Sequence, residues 1–95
     1  MSKRDAYIEK MKAQIDLWNA EIEKFEAQAH KAEADARLRY EEQLADMRAQ
    51  RESMREQLRT LQDASEQAFE RLRAGSEAAW DEMARAFRDA VAKFR

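Results

Sequence analysis

Ile8-Glu9-Lys10-Met11-Lys12-Ala13-Gln14-Ile15-Asp16-Leu17-Trp18-Asn19-Ala20-Glu21-Ile22-Glu23-Lys24-Phe25, residues 8–25, places Ile8, Met11, Ile15, Trp18, Ile22 and Phe25 at alternating steps of three and four. That spacing lines one face of an α-helix and defines the a/d seam of a coiled coil. The seam runs on through Ala29, Ala32 and Ala36, then slips to steps of four and four through Tyr40 and Leu44, a stutter that relaxes a left-handed supercoil. It resumes with Met47, Arg51, Met54, Leu58, Leu61, Ser65, Ala68, Leu72, Gly75 and Ala79, and a second stutter carries it through Met83, Phe87, Ala90 and Phe94. Arg51 and Ser65 are polar seam positions, which set register at a cost in stability.

Composition supports helix throughout. The 95 residues hold no proline and one glycine, Gly75. Proline and glycine are the usual punctuation of a folded chain, and the remaining residues are mostly those that lose least on entering a helix. An unbroken helix of this length is roughly 140 Å long at 1.5 Å per residue. Such a rod has no core of its own and must bury its stripe against a partner, so the reading predicts helicity that depends on concentration. Candidate turns lie near 62–66, where Asp63-Ala64-Ser65-Glu66 has capping-box form, and near 74–76, where Gly75 could end one helix and Ser76 start another. Either would convert the rod into a helical hairpin. Ser2 with Asp5 marks the first helix start. The inward positions between Ala27 and Ala36 are all alanine, a stretch that admits close approach or a bulky group from another helix.

Charged residues make up 40% of the chain, yet the formal net charge is only -2, with both signs interleaved. No basic arm or groove stands out, which argues against nucleic-acid binding. Without cysteine there is neither disulfide nor thiol chemistry, a pattern that fits the cytoplasm. The basic opening has no apolar stretch behind it that would make a secretory leader, and no apolar run approaches the length of a membrane span.

Residues 65–95 repeat at a spacing of eleven: Ser65-Glu66 with Ser76-Glu77, Ala68-Phe69 with Ala79-Trp80 and Ala90-Val91, Leu72 with Met83 and Phe94. Eleven residues are nearly three whole turns, so the repeats share a face. Phe69, Trp80, Met83, Phe87, Val91 and Phe94 make that face wide, and a wide apolar stripe suits a lipid or other apolar surface, or a partner groove. Acids and bases are equal in number from residue 65 onward, so attraction to anionic lipid would be weak.

No reaction chemistry can be assembled. His30 has Glu26 four residues before it and Glu33 three after, not the Glu-x-x-His of a di-iron bundle, and reads as a surface residue. There is no phosphate-binding glycine loop and no nucleophile–base set. Glu33–Arg37, Asp35–Arg39 and Asp81–Arg85 have the spacing of exposed helix ion pairs. The chain is read as non-enzymatic, with no catalytic, cofactor-binding or metal-binding residues.

The opening KRDAYIEKMKAQIDLWNAEIEKFEAQA, the middle AEADARLRYEEQL and above all the end LQDASEQAFERLRAGSEAAWDEMARAF resemble a family of small bacterial coiled-coil proteins described as stress-response proteins. Similar sequences repeat an Ala-Trp, acidic pair, Leu, Lys-Ala-Gly block around a glycine. Here Phe69 stands at the first tryptophan position, Trp80 keeps the second, and Arg73 replaces the lysine before Ala74-Gly75. The resemblance implies a cytoplasmic bacterial protein linked to stress and supplies no catalytic residues. The 11-residue repeat is also similar to apolipoproteins and late-embryogenesis proteins, a likeness of composition that suggests protection during drying or heat.

The expectation is therefore an all-α, elongated coiled coil or helical bundle, a single unit over 1–95 with a heptad part at 1–62 and an amphipathic part at 65–95. It self-associates as a homo-oligomer, dimer or higher, along Ile8, Met11, Ile15, Trp18, Ile22, Phe25, Leu44, Met47, Met54, Leu58, Leu61 and Leu72. The alternative role is reversible binding to lipid or to an apolar protein surface through Phe69, Trp80, Met83, Phe87, Val91 and Phe94.

Overall fold

The computed structural model describes residues 3–93. They form three α-helices: α1 (Lys3–Lys31), α2 (Ala34–Asp63) and α3 (Glu66–Ala92). Two-residue links force consecutive helices to run antiparallel, so the order is up-down-up and α1 and α3 are parallel. α2 packs against both of the others. The bundle measures 51 × 20 × 18 Å, far shorter than an unbroken rod.

The a/d reading of the first two helices matches the interior. In α1, Ile8, Met11, Ile15, Trp18, Ile22, Phe25 and Ala29 are buried. In α2, Leu44, Met47, Met54 and Leu61 are buried, with Tyr40 and Leu58 packed at the margin of the core. α3 contributes Phe69, Met83, Phe87 and Ala90. One interior shared by three segments removes these side chains from water, at about 1.5–3 kcal/mol for each large one. The expectation of a rod without a core of its own is thus corrected: the stripe is covered by the chain itself.

Of the two candidate turns, the one at 62–66 is present, and Ser65 starts α3 by accepting the Ala68 N–H on its Oγ at 3.1 Å. No turn occurs at 74–76, where α3 continues. A second turn, at Ala32-Glu33, was not anticipated. Glu33 at φ −64°, ψ 161°, Ala64 at −76°, 145° and Ser65 at −66°, 165° are extended backbone, while Ala32 still donates its N–H to the Ala29 carbonyl at 3.2 Å. Among the described residues none has positive φ, so neither link requires glycine. The carbonyls left over at the helix ends are met by arginines reaching from neighbouring segments. Arg37 donates from Nε to the Ala29 carbonyl at 3.4 Å and from Nη2 to the carbonyls of His30 and Ala32, each at 3.3 Å. Arg4 donates from Nη1 to Ala64 at 2.8 Å and from Nη2 to Gln62 at 3.0 Å. A guanidinium at a helix C-terminus also complements the macrodipole.

Beyond the Ala64-Ser65 link, the core of α3 departs from the a/d steps of the sequence seam. It follows Phe69, Ser76, Met83 and Ala90 at steps of seven, with Phe87 beside them. Leu72, expected in the seam, is 42% exposed at the edge of this stripe, and Gly75 is exposed. Polar contacts fix the α1/α2 register: Arg51 Nη1 donates to Asn19 Oδ1 at 3.2 Å, and Arg48 lies 3.7 Å from Glu26. Arg37, assigned in the sequence to Glu33, instead serves the end of α1. Ser2 lies outside the described residues.

Two substitutions check this account by their shift in urea midpoint at constant slope. A Cβ at Gly75 would meet nothing within 4 Å, so Gly75→Ala should stabilise by about 0.5–1 kcal/mol through helix propensity alone. Arg37→Ala should destabilise by about 1 kcal/mol by orphaning the end of α1.

Candidate functional site

α1 and α3 meet through rings. Trp18 stacks on Phe87 with centroids 4.3 Å apart and planes 7° from parallel. Trp80 lies 6.3 Å from Trp18 at 24°, and Tyr7 meets Phe69 edge-on at 5.8 Å. Offset stacking and edge-to-face contact are the favoured arrangements of aromatic quadrupoles. Because large rings span the gap, the outer surface between the two helices is a groove. One stretch of it, about 600 Å³, is walled by Leu17, Trp18, Ala20, Phe87 and Val91, with Glu21 and Arg88 at its sides. Clefts continue along the same face past Trp80 and Ala84 and on to Tyr7 and Lys10.

The rims of the groove carry their own helical pattern. On α1 they are Lys10, Gln14, Leu17 and Glu21; on α3 they are Glu77, Asp81, Ala84 and Arg88. Both sets step by four, three and four, the spacing of a helix-pairing stripe. Leu17 is 62% exposed, while Trp80 and Val91 are half-buried. Among the α3 side chains that line the groove the signs are segregated: Glu77 and Asp81 precede Ala84, while Arg85 and Arg88 follow it. Glu77 is 3.9 Å from Arg73 on its own helix, whereas Oε2 of Glu21 is buried without a hydrogen-bond partner.

Except for Leu72, the residues assigned to a self-association seam are brought together in the interior: Leu58 is half-buried and the rest are buried. Of the face assigned to apolar surfaces, Phe69, Met83 and Phe87 also point inward. Trp80 and Val91 sit on the groove, and Phe94 lies outside the described residues. As folded, only Trp80 and Val91 of the described residues of this face are open to an outside surface. His30 is exposed beside the first turn. Among the described residues no group of three or more His, Asp or Glu side chains could hold a metal ion, and no helix is long and apolar enough to cross a membrane.

Sequence reasoning missed Leu17, Lys10, Ala84 and Arg88. Their signal was a second 4-3-4 stripe flanking the seam, masked by the stronger apolar one. Comparison with protein-family models, with curated proteins and with solved structures finds no match to this chain.

Trp18 is the centre of the α1/α3 contact. Trp18→Ala should cost about 3–5 kcal/mol, a large share of the stability of so small a bundle. Thermal unfolding followed by circular dichroism should show a much lower midpoint, and an unchanged midpoint would mean that the rings do not hold α1 and α3 together.

Proposed function

We propose that this chain is a non-enzymatic interaction protein that self-associates through its α1/α3 face. The occupant of the groove is a second copy, turned antiparallel about a two-fold axis lying across the helices near Ala84. The observation that carries this reading is the order of charge among the α3 residues that line the groove. An antiparallel copy brings Asp81 of each chain against Arg88 of the other, and Glu77 against the far end of the partner's groove. A two-fold interface needs such self-complementarity.

Size and shape agree with it. Ala84, a small residue at the axis, allows close helix approach. The Trp18–Phe87 and Trp18–Trp80 contacts put Leu17 at the same level as Ala84, so the exposed leucine meets its own counterpart. A face 51 Å long and some 20 Å wide is large enough for the ~800 Å² per partner of a standard interface. The likeness of the C-terminal block to bacterial coiled-coil stress-response proteins supports a cytoplasmic, stress-linked setting for such a module.

Charge reversal tests the pairing. Asp81→Arg and Arg88→Asp should each weaken the homodimer about tenfold, because each places two like-charge contacts in a symmetric interface. Mixing the two variants should restore association as a heterodimer, read by sedimentation velocity. Wild type that remains monomeric at high micromolar concentration, or a mixture that fails to recover, would refute the proposed interface.

A further inference from the structure

The Ala64-Ser65 link differs from a helix in one respect only. Its φ angles, −76° at Ala64 and −66° at Ser65, already lie in the helical range. Only the two ψ angles, 145° and 165°, must rotate to about −40° to make the link helical. Alanine is the best helix former and serine an ordinary one, and neither proline nor glycine stands in the link. The local device that favours the bend is the Ser65 cap on the Ala68 N–H, which a straight helix replaces with the Ala64 carbonyl as acceptor. The rest of the choice is made by packing.

We infer that α3 exchanges between two copies of this chain. The link straightens, α2 and α3 become one helix, and α3 of each copy enters the place between α1 and α2 that the other copy's α3 has left. The direction of the side chains permits it. At 100° per residue in a continuous helix, Ala90 lies about 20°, Met83 about 40° and Ser76 about 60° from the direction of Leu61. The core faces of the two halves thus fall on one side of the long helix. Two such helices run antiparallel, α2 of one beside α3 of the other, which is the relation the two helices already have within one chain. Every core contact is remade, so the Trp18–Phe87 stack and the Tyr7–Phe69 contact form between chains. Exchange of identical elements is a low-cost route to a dimer for this reason.

The attachment of α3 is suited to release. The polar ties Arg51–Asn19 and Arg48–Glu26 join α1 to α2 and survive the exchange. At the root of α3 the fastening is Arg4, whose guanidinium holds the Ala64 and Gln62 carbonyls. In a continuous helix those carbonyls accept N–H groups from α3 instead. Arg4 therefore favours the bent form and acts as its latch.

This inference does not rest on docking at the α1/α3 face, and shape separates the two. A joined helix over 34–92 is close to 90 Å long, whereas copies docked side by side stay near the 51 Å of one bundle. After refolding from urea at high protein concentration, small-angle scattering on the dimer fraction should give the longer dimension. Arg4→Ala should raise the share of that species several-fold. Glu66→Pro should remove it: proline is favoured at the first position of a helix, and the extended Ser65 suits the residue before it, but proline breaks a continuous helix there.

A second readout covers a variant that fails to fold. Lys31 and Lys93 are exposed at the same end of the bundle. Chains labelled with donor at Lys31 and chains labelled with acceptor at Lys93, refolded together, should show strong energy transfer if α3 is exchanged. Docking alone sets the two labels near opposite ends of the dimer. Wild type that gives no particle longer than the docked form, a long species that persists in Glu66→Pro, or absent transfer after joint refolding would each overturn the exchange.

Discussion

The burial of one apolar stripe by its own continuation governs the rest of this structure. The a/d residues of α1 have no cover until α2 returns along them, and neither helix is closed until α3 supplies Phe69, Met83 and Phe87. The two links that make the return possible are short and free of glycine. What makes them tolerable is the pair of arginines that satisfy the carbonyls at the ends of α1 and α2. Charge-assisted hydrogen bonds of this kind are among the stronger ones available. Here they stand where a left-handed glycine cap would otherwise end a helix.

The helices were legible in the sequence because their seam is periodic. Each seam residue of α1, from Ile8 to Ala29, is buried, and α2 follows its predicted positions from Leu44 to Leu61. The 62–66 turn was legible as a candidate, but through an Asp63–Glu66 pairing, whereas the cap is Ser65 on the Ala68 N–H. The Ala32-Glu33 turn was hidden by two things. Apolar phase runs across it through Ala29, Ala32 and Ala36, and Glu33 supplies no side-chain cap. Its stabilising group, Arg37, reads in sequence as an ordinary member of an exposed ion pair. The run of alanines was in fact the bend. Leu72 was misplaced because the sequence seam was stepped through Ser65, Ala68 and Leu72, whereas the core of α3 runs through Phe69, Ser76 and Met83 and leaves Leu72 at its edge.

The open face follows from the same packing. α2 lies against both of its neighbours, whereas α1 and α3 are bridged by Trp18, Trp80 and Phe87. Large rings hold two helices together while keeping their backbones apart, and the space outside the rings is the groove. A sequence search for the seam finds the rings but not the rims, since Lys10, Gln14, Glu21, Asp81 and Arg88 look like ordinary solvated charge until the fold puts them beside one another. The association of copies proposed above therefore uses the rims, and α3 as a separable segment of the core, rather than the seam.

The central claim is that the chain seals its interior without a second copy. Unfolding in urea, followed by tryptophan fluorescence of Trp18 and Trp80, tests it directly when repeated from nanomolar to low micromolar protein. Over the range in which sedimentation shows the folded chain to be monomeric, the account predicts one cooperative transition whose midpoint does not move with concentration. Within that range, a midpoint that climbs steadily with concentration, as it must when folding requires association, would contradict it.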